Sequence, residues 1–108
     1  MNTDPQAAPD LEELLAQVRR QTEQVHRIQR SVEAMEVKGH SRGNEVTATL
    51  RGDGRFTGID IDPDAARRYD ARNLGEIVLE AVNNGLARLA EASKSKFAPV
   101  LDQPGPGE

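Results

Sequence analysis

The sequence predicts an α+β protein with order α-β-β-β-α: a three-stranded antiparallel sheet between long terminal helices, assembled as a dimer. Two changes of hydrophobic period and one scarcity predict it. Apolar residues recur at helical spacing over about residues 10–32, alternate at spacing two over 35–61, and return to helical spacing over 73–96. Ile, Leu, Val and Phe together number 23 of 108 residues, enough to fold but little for a closed core. A thin core in a short chain favours burial against a second copy.

In the first helix, Leu11, Leu14, Leu15, Val18, Val25, Ile28 and Val32 fall on one side at 100° per residue. Asp10 is placed to cap it, with Glu12 and Glu13 in the first turn, where the helix dipole favours negative charge. Gln17, Gln21, Gln24 and Gln29 flank the stripe. Its heptad-like spacing is interrupted at Thr22, so it predicts at most a short coiled-coil seam.

Met35 and Val37 alternate with Glu36 and Lys38 as a short strand. Gly39 to Asn44, with two Gly, a Ser and an Asn, reads as a loop. Val46, Ala48 and Leu50 alternate with Thr47 and Thr49 as a half-buried strand. Arg51-Gly52-Asp53-Gly54 is a hairpin turn, and Phe56 to Ile61 the returning strand. Phe56 is out of phase with Ile59 and Ile61, which predicts a bulge at Gly58 between them. Asp62-Pro63 starts a short helix through Arg68. The last helix, Asn73 to Lys96, carries a broad apolar face: Leu74, Ile77, Val78, Ala81, Val82, Gly85, Leu86 and Leu89. A glycine inside a helix costs roughly 1 kcal/mol against alanine, so Gly85 predicts close packing of another backbone. Asn83 and Asn84 fit either a hydrogen bond across a dimer contact or the solvent side. Residues 1–9 and 99–108, rich in Pro and small polar residues, read as disordered tails around one domain, 10–98.

Function classes narrow by elimination. The chain has no cysteine, so no disulfide framework and no thiolate metal site, as suits a reducing cytoplasm. Met1 to Asp10 lacks the basic cluster and apolar run of a signal peptide. No stretch approaches the ~20 apolar residues of a membrane span. His26 and His40, the two histidines, lie on different elements, too few ligands for a metal. A calcium loop beginning at Asp60 would need Gly and Glu at its sixth and twelfth positions, which hold Ala65 and Ala71. Gly52-Asp53-Gly54 lacks the Gly-Lys-Ser/Thr of a phosphate loop, and Ser31, Ser41, Ser93 and Ser95 show no triad pattern. No enzyme and no cofactor is expected.

The net charge of −4 weighs against a polyanionic partner. Asp4, Asp10, Asp102 and Glu108 account for it: residues 11–98 hold 14 acidic and 14 basic side chains. Arg19, Arg20, Arg27 and Arg30 lie within about 100° of one another on the first helix, opposite its apolar stripe, with Glu23 and His26 in their neighbourhood. Guanidinium groups so gathered suit phosphate oxygens, which they bind bidentately; an ordinary solvated face would look similar. Lys38, His40 and Arg42 add positive charge in the next strand and loop. Arg67, Arg68 and Arg72 have Asp64 and Asp70 beside them and read as locally paired, and Lys94 and Lys96 suit the negative end of the last helix.

Four segments together resemble the YbaB/EbfC family of bacterial nucleoid-associated proteins: the charged, Gln-rich first helix ending in Val37-Lys38-Gly39; Gly43-Asn44-Glu45-Val46-Thr47-Ala48-Thr49-Leu50; Gly52-Asp53-Gly54-Arg55-Phe56-Thr57-Gly58-Ile59-Asp60-Ile61-Asp62-Pro63; and Leu79-Glu80-Ala81-Val82-Asn83-Asn84-Gly85-Leu86-Ala87. The likeness spans about residues 11–98. This chain has Gln and Arg where simpler members have a Met- and Lys-rich first helix. The resemblance implies the α-β-β-β-α fold and a homodimer with protruding first helices. It also implies binding of double-stranded DNA with little sequence preference, at the nucleoid in the cytoplasm, through Arg19, Arg20, Arg27, Arg30, Lys38 and Arg42. The acidic total keeps a second expectation open, a dimeric protein-interaction adaptor whose first helix pairs with a partner helix.

Overall fold

Successive switches between helical and alternating periodicity divide the chain into α1 (Ala7–Ala34), β1 (Glu36–His40), β2 (Val46–Arg51), β3 (Phe56–Ile61), α2 (Pro63–Arg68) and α3 (Ala71–Leu101). The computed structural model describes residues 7–101, and side chains from residue 10. The three strands form one antiparallel sheet in the order β1-β2-β3.

Several boundaries differ from the sequence reading. α1 begins at Ala7, so Asp10 lies in its first turn rather than at its cap. Pro9 is tolerated there because the first-turn N–H groups lack intrahelical partners. α3 starts at Ala71, two residues early, because Asp70 caps it by accepting the Asn73 N–H at 2.8 Å. It ends at Leu101 rather than Lys96. Both helices thus run three residues into the segments read as tails; residues 1–6 and 102–108 lie outside the described residues. β1 begins at Glu36 and takes in Gly39 and His40, which read as loop, since both pair with β2.

The core lies between α3 and the β1–β2 side of the sheet. Val46, Ala48 and Leu50 alternate inward and are wholly buried, as is Ala81. Phe56, Ile77, Val78 and Val82 close around this cluster. The opposing positions Thr47 and Thr49 pair with His40 and Lys38 on the other, polar face.

Phe56 joins the core through a bulge. Thr49 pairs with Gly58 but Leu50 with Phe56, so Thr57 is the extra residue. Ile59 opposes Ala48 and Ile61 opposes Val46, and without the bulge Phe56 would face away from both.

Glycines carry the close approaches. A Cβ on Gly39 would collide with the Gly85 nitrogen and the Ala81 carbonyl oxygen, so β1 and α3 touch backbone to backbone, as a glycine within the last helix predicts. A Cβ on Gly52 would strike the Val32 carbonyl, and the Gly52 N–H donates to the Met35 carbonyl at 2.9 Å. The β2–β3 turn is thereby seated against the end of α1.

Polar contacts fix the remaining joints. The Asn84 side-chain carbonyl accepts the His40 backbone N–H at 2.8 Å. Asn84, half-buried, thus satisfies a backbone donor on the free edge of β1 within its own chain. Ser41, buried, donates its hydroxyl to Glu45 at 2.8 Å and accepts the Val46 N–H at 3.1 Å. Asp62 caps α2, with Pro63 at its first position.

Candidate nucleic-acid interface

α1 is two helices in its surroundings. Val25 and Ile28 are half-buried and Val32 buried, where the helix runs beside α3; Lys96 donates to the Ser31 hydroxyl at 3.0 Å. Toward the N-terminus, Leu11, Leu14, Leu15 and Val18 are between 48% and 58% exposed. The predicted apolar stripe is thus covered only over its last two turns or so, and the part before Gln24 projects. At 1.5 Å per residue that projection is roughly 25 Å long.

Arg19, Arg20, Arg27 and Arg30 are all exposed on this helix. None forms an ion pair among the described residues, where the pairs are Arg55–Asp53 and Arg67–Asp64. Two shallow hollows run along the polar side of α1. One is lined by Gln17, Arg20, Gln21, Glu23, Gln24 and Arg27, the next by Glu23, His26, Arg27 and Arg30. Arg27 and Glu23 belong to both, so Arg20, Arg27 and Arg30 form one continuous track with a carboxylate on it. Arg19 lines neither hollow.

Lys38 and Arg42 do not join the track. Arg88 reaches the Lys38 carbonyl at 3.5 Å, and the Arg42 N–H donates to Glu80 at 2.6 Å. β1 therefore leads back along α3 as its number rises. Glu80 and Lys96 are 16 residues apart on α3, so Arg42 lies roughly 24 Å along the helix from the level of Ser31, beside an acidic side chain. Lys38 projects from the polar face of the sheet. Arg67 pairs with Asp64 at 2.7 Å, as its neighbours predict, and Arg68 lies over the Tyr69 ring at 5.1 Å.

Two arginines escaped the sequence reading. A third, larger hollow is lined by Arg30, Glu33, Ala34, Arg51, Asp53, Arg55 and Thr57. It lies where the β2–β3 turn meets α1, and Arg30 belongs to both this hollow and the track. Asp53 accepts the Arg55 backbone N–H at 3.0 Å, and its carboxyl is held below its ordinary range first by that bond. The signal was two Arg bracketing Gly52-Asp53-Gly54, which read only as a turn.

Among the described residues no group of three or more His, Asp or Glu is placed to hold a metal ion, and no helix is long and apolar enough to cross a membrane.

A family model described as the YbaB/EbfC DNA-binding family matches residues 7–104. A nucleoid-associated protein of Rhodococcus opacus is 31% identical over 103 residues, covering 95% of this chain and 91% of that protein. One of Nocardia farcinica is 31% identical over 91 residues, covering 84% and 83%. The crystal structure of an uncharacterized protein from Helicobacter pylori matches with a TM-score of 0.66 at 17% identity, over 83% of this chain and 95% of that one. That last likeness concerns the fold.

Proposed function

Because this chain belongs to the YbaB/EbfC DNA-binding family, we propose that it binds double-stranded DNA with little sequence preference, as a homodimer on the nucleoid, and without catalysis. The observation that carries the reading is the exposed track of Arg20, Arg27 and Arg30, with Arg19 beside it, on a helix that leaves the body of the protein. None of these guanidinium groups is held in an ion pair among the described residues, although Glu23 lies beside the track. Contacts of this kind reach phosphates rather than base edges, so affinity falls steeply with salt and hardly varies with sequence. Lys38 and Arg42 belong to a separate, weaker contact surface in this reading. The names of the relatives, nucleoid-associated proteins, support the assignment.

What supports the homodimer is the face that α3 leaves bare. α3 covers β1 and β2, while Ile59 and Ile61, on the same face of edge strand β3, are 41% and 37% exposed. Leu79 and Leu86, two turns apart on α3, are 56% and 44% exposed. A second copy presenting the same apolar residues fills this step symmetrically.

The test is gel retardation of random-sequence duplex DNA over a salt series. The wild type should bind in a salt-sensitive way, and the variant with Arg19, Arg20, Arg27 and Arg30 all changed to Ala should bind more weakly on every sequence. Equal binding by the two proteins sinks the assignment to these arginines. The adaptor reading draws on the bare stripe Leu11, Leu14, Leu15 and Val18; it predicts no retardation at low or moderate salt.

A further inference from the structure

We infer that Arg51 and Arg55 of the β2–β3 turn form, with Arg30, a second phosphate-contact site for duplex DNA at the root of α1; the inference rests on the DNA-binding reading above. The hollow they line opens beside the arginine track and shares Arg30 with it. Basic side chains therefore continue from Arg20 to Arg55 across two elements distant in sequence. The hollow is also built on a fixed frame. Gly52 lies against the Val32 carbonyl and donates to the Met35 carbonyl at 2.9 Å, so the turn cannot swing away from α1 without breaking that bond. The Arg51 N–H donates to the Arg55 carbonyl at 2.9 Å, which holds the two arginines across from one another.

Charge in the hollow favours an anion narrowly: Arg30, Arg51 and Arg55 stand against Glu33 and Asp53. The contact that competes for Arg55 is open to water. Its 3.4 Å pair with Asp53 has side chains 75% and 38% exposed, and such pairs are screened and easily exchanged. Asp53 keeps a second partner, the Arg55 backbone N–H, when the guanidinium turns to a phosphate. A duplex lying along the track then meets the body of the protein at the turn, so the turn sets how far the DNA sits from the sheet.

The experiment uses the full chain, random-sequence duplex DNA, and the logarithmic dependence of affinity on salt. Each phosphate contact contributes about 0.9 to the magnitude of that slope. R51A/R55A should lower it by about 1.8, whereas R51K/R55K, which keeps both charges, should hold it near the wild-type value. D53N should tighten binding at low salt by freeing Arg55. If the wild type binds but R51A/R55A keeps its full slope, the turn is not a contact and the α1 reading stands. If the wild type itself fails to bind, the DNA reading and this inference fall together.

Discussion

The Gly39 and Gly85 backbones meet without side chains between them: a Cβ built on Gly85 would stand 3.6 Å from the Gly39 Cα. This contact sets the spacing between β1 and α3. It lets Leu50 reach up beside Gly85, and it brings Asn84 within 2.8 Å of the His40 N–H.

The two glycines should respond unequally to alanine. At Gly39 the new methyl collides with backbone atoms of Gly85 and Ala81, which cannot turn aside. G39A should cost about 1–3 kcal/mol, the range of overpacked cores, or more if α3 lifts from the sheet. At Gly85 the methyl meets a Leu50 terminal carbon at 3.1 Å, a flexible group, while the helix gains roughly 1 kcal/mol of propensity. G85A should therefore lie within about 1 kcal/mol of wild type. Urea unfolding of the two variants checks this, and equal losses contradict it.

Acid should loosen the β1–β2 loop through Glu45. Its carboxylate is held below the ordinary glutamate range first by the Ser41 hydroxyl, then by backbone N–H groups, with Tyr69 adding a hydrogen bond at 3.4 Å. A lowered folded-state pKa means that the unfolded chain takes up the proton first. The stabilisation is complete above the unfolded value and is lost as pH falls through the folded one. E45Q should remove part of this acid-side loss, so its stability profile flattens below the ordinary glutamate range relative to wild type. Asp53, shifted the same way by the Arg55 N–H, leaves some slope in the variant. Parallel profiles for the two proteins in that range contradict the assignment.

The bare apolar step on α3 and β3 should decide assembly. L79E/L86E places two charges where the proposed partner copy would cover them, on positions 56% and 44% exposed within one chain. The variant should run as a monomer by light scattering while keeping its helical content, and the wild type as a dimer. A variant that stays dimeric moves the interface elsewhere.

Much of the local design was legible in the chain. The change from helical to alternating spacing near Ala34 reports which backbone geometry hides Val46, Ala48 and Leu50 from water, so element order followed. The Phe56–Ile59 mismatch announced a bulge because side chains on a strand alternate strictly, but the extra residue is Thr57 and not the expected Gly58, which pairs with Thr49. Gly85 announced a touching backbone because a helix tolerates glycine poorly. The end of β1 misled, since Gly39 and His40 form a strand only through pairing with Ala48 and Thr47.

The candidate interface divides along the same line. Periodicity along α1 sufficed to gather Arg19, Arg20, Arg27 and Arg30 on one side, because angular position on a helix depends on residue spacing alone. Spacing says nothing of where a packing partner begins, so it could not show that Val25, Ile28 and Val32 are covered while Leu11 to Val18 stand free. Nor could it set Arg42 beside Glu80, or Arg51 and Arg55 beside Arg30. Those neighbours are far apart in the chain, and they meet only because Gly39 and Gly52 let backbones approach where any side chain would hold them apart.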